Sequence, residues 1–145
     1  MRRALLTLVF AACGAPAPQP DAGCATTLEL GTATDDTPFV ALADGDALVM
    51  HAGPQGGFHV YGAARATGLE ARGLLIFELR QNGASLARQS LDLSAVQLEP
   101  RACGWERSRT ALFLLPPDVT PLRDTVATLH VVAAGHDVER QVRLE

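Results

Sequence analysis

Leu74-Leu75-Ile76-Phe77-Glu78-Leu79-Arg80-Gln81-Asn82-Gly83-Ala84-Ser85-Leu86-Ala87-Arg88-Gln89-Ser90-Leu91-Asp92-Leu93 is the stretch that decides the fold class. Leu74–Arg80 is the most apolar strand-like run, and Asn82-Gly83 follows it almost at once. Both turn residues tolerate the positive φ that a type I′ turn demands, so the pair marks a two-residue β-hairpin. Ser85–Leu93, with apolar and polar residues mixed, is the expected return strand. The pattern belongs to an antiparallel sheet.

The same punctuation recurs on both sides. Upstream, Leu28 and Leu30 flank Glu29, Phe39–Leu42 offers a second strand, and Ala47–His51 a third after the Asp44-Gly45 turn. Gly53-Pro54-Gln55-Gly56-Gly57 separates that strand from Phe58–Tyr61. Downstream, Thr110–Leu115 stops at Pro116-Pro117, and Thr125–Ala133 is rich in β-branched residues. Gly135-His136-Asp137 turns the chain into Val138–Leu144, where Val138, Val142 and Leu144 share one face and Glu139, Gln141 and Arg143 the other. No segment sustains a helical period with caps at both ends. Seven or eight short strands in about 120 residues predict an all-β, antiparallel two-sheet sandwich over 28–145. The order of connections resembles an immunoglobulin-like or fibronectin-type domain. The antibody Cys…Trp…Cys spacing is absent, because Trp105 lies two residues after Cys103.

The N-terminus carries a different signal. Met1-Arg2-Arg3 precedes nine nearly uniformly apolar residues, Ala4–Ala12, and then Cys13. A helix needs about 20 apolar residues to span a bilayer, so this run suits the apolar region of a secretion signal. Phe10-Ala11-Ala12-Cys13 resembles the lipobox of bacterial lipoproteins, although the family prefers leucine where Phe10 stands. The resemblance implies that residues 1–12 are removed. It also implies that Cys13 carries a thioether-linked diacylglycerol plus an N-acyl chain such as palmitate. Several chains on one residue anchor stably. Residues 13–27 then form a flexible, disordered linker, whose alternating prolines (Pro16, Pro18, Pro20) favour an extended chain. Gly14 in place of aspartate after that cysteine favours the outer membrane. The expected location is therefore the cell envelope, on the periplasmic face of the outer membrane or the cell surface.

Charge and cysteine count narrow the remainder. All twelve basic residues are arginine against sixteen acidic ones, a net charge of −4, which deepens to −6 once Arg2 and Arg3 are removed. A nucleic-acid partner needs a dense basic surface, and this chain lacks one. Three cysteines is an odd count for an exported protein. A lipidated Cys13 leaves Cys24 and Cys103 as the one possible disulfide, in a compartment where it would persist.

Candidate chemistry is sparse. His51 and His59 flank the Gly53–Gly57 loop, so a hairpin would bring them together, and Met50 adds a soft ligand suited to copper. Met50 and His51 are consecutive, however, and point to opposite faces of a strand. His130 and His136, on or beside a later strand, could approach the same end. The Gly53–Gly57 loop has neither phosphate-loop pattern, and a wide hairpin turn accounts for it. Ser85, Ser90, Ser94 and Ser108 occupy no nucleophile elbow. Asp44 and Asp46 belong to a turn and lack the twelve-residue frame of a calcium loop. Phe39, Phe58, Phe77 and Phe113 lie in apolar runs and are expected in the core. Trp105, beside Glu106, Arg107 and Arg109, is the one candidate exposed aromatic for glycan or peptidoglycan stacking; packing on the disulfide is its other reading.

The expected function is that of a non-enzymatic, lipid-anchored envelope protein without a cofactor. Its sandwich would serve structure or bind an envelope protein. The alternatives are copper binding through His51 and His59, and glycan binding near Trp105.

Overall fold

The computed structural model describes residues 23–34 and 36–145. The leader, Cys13 and most of the linker lie outside the described residues. Eleven strands run in chain order: β1 (Thr27–Thr32), β2 (Val40–Ala41), β3 (Ala47–Leu48), β4 (His51–Ala52), β5 (Phe58–Thr67), β6 (Leu74–Gln81), β7 (Ala84–Asp92), β8 (Glu99–Arg101), β9 (Gly104–Phe113), β10 (Val126–Ala133) and β11 (His136–Leu144). A single 3₁₀ turn, Thr120–Leu122, interrupts them.

They form an all-β sandwich. The first sheet has the order β2-β1-β5-β9-β8, with β4 also on β5; the second has the order β3-β11-β10-β6-β7. Set aside the two- and three-residue strands, and seven remain: β1, β5 and β9 against β11, β10, β6 and β7. The chain changes sheets between β5 and β6, between β7 and β9, and between β9 and β10. That three-against-four order resembles the immunoglobulin-like arrangement.

Alternation explains the second sheet. Leu75, Phe77 and Leu79 are fully buried on β6, as are Leu129, Val131 and Ala133 on β10 and Val142 and Leu144 on β11. Asn82 and Gly83 adopt φ of 49° and 80°, as a type I′ hairpin requires. Each buried Leu or Phe contributes about 1.5–3 kcal/mol of transfer free energy. The first sheet answers with small residues: Gly62, Ala64 and Ala66 on β5 face inward. A Cβ on Gly62 would stand 2.9 Å from the Phe77 ring, so the largest core side chain of one sheet rests on a glycine of the other.

Strand β9 breaks the simple alternation. Trp105 and Leu112 are both buried, yet an odd and an even position cannot share a face in a regular strand. Gly62 pairs with Thr110 and Ala64 with Arg107, so Ser108 and Arg109 together oppose Ala63. Arg109 takes a φ of 48° in this β-bulge, and the strand regains the core on its far side.

Three expectations need correction. Ala47–His51 is not one strand: β3 pairs with β11 in the second sheet and β4 with β5 in the first, so the chain switches sheets between Leu48 and His51. Only Phe77 of the four phenylalanines is fully buried in the core. Phe58 packs against its rim, Phe39 covers the outside of the first sheet, and Phe113 is 66% exposed. The third concerns length. β5 continues to Thr67 and β9 begins at Gly104, both well beyond the apolar runs that announce them.

Cys24 and Cys103 are joined, with Cα atoms 6.2 Å apart, and tie the segments that lead into β1 and β9. At the adjoining Gly104 any side chain would overlap the carbonyl oxygen of Ala66, so the backbones meet without space between them. Among the described residues, no helix is long and apolar enough to cross a membrane.

Candidate functional face on the first sheet

The outer face of the first sheet collects the unusual side chains. The sheet switch after Leu48 delivers His51 to β4 directly opposite His59 on β5. Their rings stack with centroids 5.6 Å apart and planes 25° from parallel. Two residues along β5, on the same face, Tyr61 lies 5.0 Å from the His51 ring and 4.9 Å from the His59 ring. Phe113, the cross-strand partner of His59 on β9, stands 5.8 Å from it. The Arg109 guanidinium reaches to 5.5 Å from the Tyr61 ring and also donates to the carbonyl of Thr34. His59 Nδ1 is buried without a hydrogen-bond partner. Burial first, and then the charge of His51, hold the His59 imidazole below its ordinary pKa and favour the neutral ring.

Further along the same face lies an ion cluster that no sequence pattern announced. Glu106 is fully buried, although it points away from the sandwich core. It accepts from Arg65 Nε and from Arg101 Nη2, each at 2.8 Å, and from Ser108 Oγ at 3.3 Å. Glu29 and Glu99 extend the cluster, at 3.6 Å from Arg65 and 3.5 Å from Arg101. The Phe39 ring lies 4.0 Å from the Arg65 guanidinium and rests on Gly31, where a Cβ would stand 2.7 Å from it. Burial pushes the Glu106 carboxyl up, but the hydrogen bonds and charges of Arg101 and Arg65 outweigh it and hold it below the usual range. This arrangement serves structure: each partner is satisfied within the cluster.

The other sequence candidates separate. Met50 is buried in the core, on the opposite side of the chain from His51, so it cannot join the histidine pair. His130 and His136 lie on β10 and β11 of the second sheet, where His130 Nε2 is 3.4 Å from Asp137. Trp105 is only 3% exposed and belongs to the core, so its indole offers no stacking face to a glycan. Gly53–Gly57 closes the β4–β5 hairpin through two backbone hydrogen bonds, as its composition implies. Asp44 and Asp46 accept from the backbone N–H groups of Gln141 and Ala43 and brace their turn. Among the described residues, no three His, Cys, Asp or Glu side chains group as a metal cage.

The chain has no significant match among protein-family models, curated proteins or solved structures. Function therefore rests on the face itself.

Proposed function

We propose that this protein is a non-catalytic envelope module that displays the outer face of its first sheet to a protein partner. The carrying observation is Phe113, 66% exposed beside His59 and Tyr61, with Leu115 72% exposed two residues on. Aromatic rings next to arginine form the composition of interface hot spots, where desolvated Tyr, Trp and Arg supply most of the binding energy. An exposed phenylalanine suits an apolar protein surface better than a sugar, and Leu115, exposed where the chain crosses to β7, extends the apolar edge.

Residues 1–12 act as an export signal, Cys13 receives the lipid, and the proline-rich linker gives the domain reach from the membrane. The linker ends earlier than the expected residue 27, because Cys24 is already tied to Cys103 and β1 begins at Thr27. The location that follows is the periplasmic side of the outer membrane or the cell surface. At −6, the processed chain has no attraction to an anionic bilayer, so anchoring falls to the lipid. Two experiments test the two halves of this reading. Cys13→Ser should abolish incorporation of radiolabelled lipid and release the protein from membranes; unchanged membrane retention refutes the anchor. A photo-crosslinker at Val49, exposed two residues before His51, should trap one envelope protein in cells. Phe113→Ala and Tyr61→Ala should abolish that adduct, whereas Leu74→Ala, on the opposite sheet, should leave it. An adduct indifferent to Phe113 and Tyr61 rejects the docking face.

A further inference from the structure

We propose that His51 and His59 form a two-imidazole clamp for a borderline divalent transition metal, with Cu²⁺ the preferred ion. Three geometric observations support it. The two residues are in direct cross-strand register, so both side chains leave the same face of the sheet side by side. The rings already stack with centroids 5.6 Å apart, and the clamp requires the two side chains to rotate so that one nitrogen of each comes to about 2 Å from a shared ion. His59 Nδ1 has no hydrogen-bond partner although it is buried, which leaves it uncommitted to the protein.

The surroundings supply the chemistry. A ligating imidazole must be neutral, and the partial burial that disfavours protonation of His59 prepares it for that. Tyr61 lies against both rings, and Phe113 flanks His59 from β9. The Arg109 guanidinium lies 5.5 Å from the Tyr61 ring, on the side of Tyr61 away from the histidine pair. Two nitrogen ligands, with the remaining positions left to water, favour Cu²⁺ over Zn²⁺ and Ni²⁺ in the order of intrinsic affinity. The clamp is independent of partner docking: it needs the histidines, and docking needs Phe113 and Tyr61.

Titration of the purified full chain with CuCl₂ at pH 7.5 tests it, read by visible absorption and by the nitrogen hyperfine pattern in electron paramagnetic resonance. The expected result is one equivalent bound through two imidazole nitrogens, with Kd at or below about 10 μM. His51→Ala and His59→Ala should each weaken binding at least about tenfold, and His130→Ala should leave it unchanged. His51 sits on a two-residue strand at the sheet margin, so its removal tests the clamp in a folded chain. Two results overturn the proposal: Kd weaker than about 10 μM, or binding that either histidine substitution leaves at wild-type strength. Failure here leaves the crosslinking result untouched, and the converse also holds.

Discussion

The two outer faces of this sandwich are built on different rules. On the second sheet, Glu78, His130 and Glu139 line up across β6, β10 and β11, with Arg80, Thr128 and Gln141 one step along. These side chains are partly to largely solvated: Arg80 pairs with Glu139 at 3.0 Å and His130 with Asp137 at 3.4 Å, and Glu139 and Asp137 are largely exposed. That face needs only to be wet. The first sheet instead covers much of its outer side, where Ala63 and Glu106 have no solvent exposure. The His51–His59–Tyr61–Phe113 group occupies one end, Phe39 roofs the middle over Gly31 beside Ala63, and the Arg65–Glu106 ion cluster fills the other end. A solvated face tolerates change almost anywhere, whereas a covered one ties stability and recognition to particular residues.

The largest test of that contrast is covalent. Both disulfide cysteines adjoin strands of the first sheet. Closing a loop with a sequence separation of 79 is worth at most about 4.5 kcal/mol in the chain-entropy model. A Cys24→Ser, Cys103→Ser chain should lose about 3–4 kcal/mol in urea unfolding. Hydrogen exchange should accelerate first in β1 and in β9 near Gly104. Equal acceleration across both sheets would show that the bond does not favour the first.

The next test sets Glu106 against Glu139. Glu106→Gln removes the one buried negative charge that two arginines enclose, and should cost about 1–3 kcal/mol, a range reduced because both guanidinium groups are partly solvated. Glu139→Gln, on the solvated face, should change stability by less than about 0.5 kcal/mol. Acid adds a signature. A carboxylate held below its ordinary value of 4.5 stabilises the fold fully above that pH, and the contribution is lost as pH falls through the lower folded value. The Glu106→Gln chain should therefore show a shallower loss of stability below pH 4.5 than the wild type. Identical acid limbs would remove the cluster from the stability account.

What could be read in advance divides along the same line. β6, β10 and β11 were legible because their side chains alternate between core and water, and β7 because the Asn82-Gly83 turn joins it to β6. The first sheet hides its strands. Gly62-Ala63-Ala64 looks like a break in β5, because the residue that needs the space, Phe77, belongs to the other sheet. Glu106-Arg107-Ser108-Arg109 looks like a charged loop, because the bulge reverses the alternation and Glu106 is neutralised by Arg65 and Arg101, both distant or out of pattern in sequence. The meeting of His51 and His59 was legible from the glycine-rich loop between them. Their aromatic neighbours were not: Phe113 sits in an apolar run that predicts burial, and only the register with His59 shows that it faces out. The register opposite Ala66 turns Trp105 into the core, in line with the buried reading of that residue and not with a stacking face.

The smallest expected effect concerns His59. Its pKa is lowered in the folded state, by burial first and the charge of His51 second. A base so placed leaves stability intact above its ordinary value of 6.5, and stability is lost as pH falls below 6.5 through the lower folded value, because the unfolded chain takes up the proton first. Among the described residues, the ring contacts of His59 are with His51, Tyr61 and Phe113, none of them a carboxylate. In a nuclear magnetic resonance titration the His59 ring protons should move with a midpoint below 6.5. His51→Ala should raise that midpoint only in part, since burial remains the larger cause. Complete restoration to 6.5 would reverse the order of the two causes and make this end of the face an electrostatic pair instead of a desolvated one.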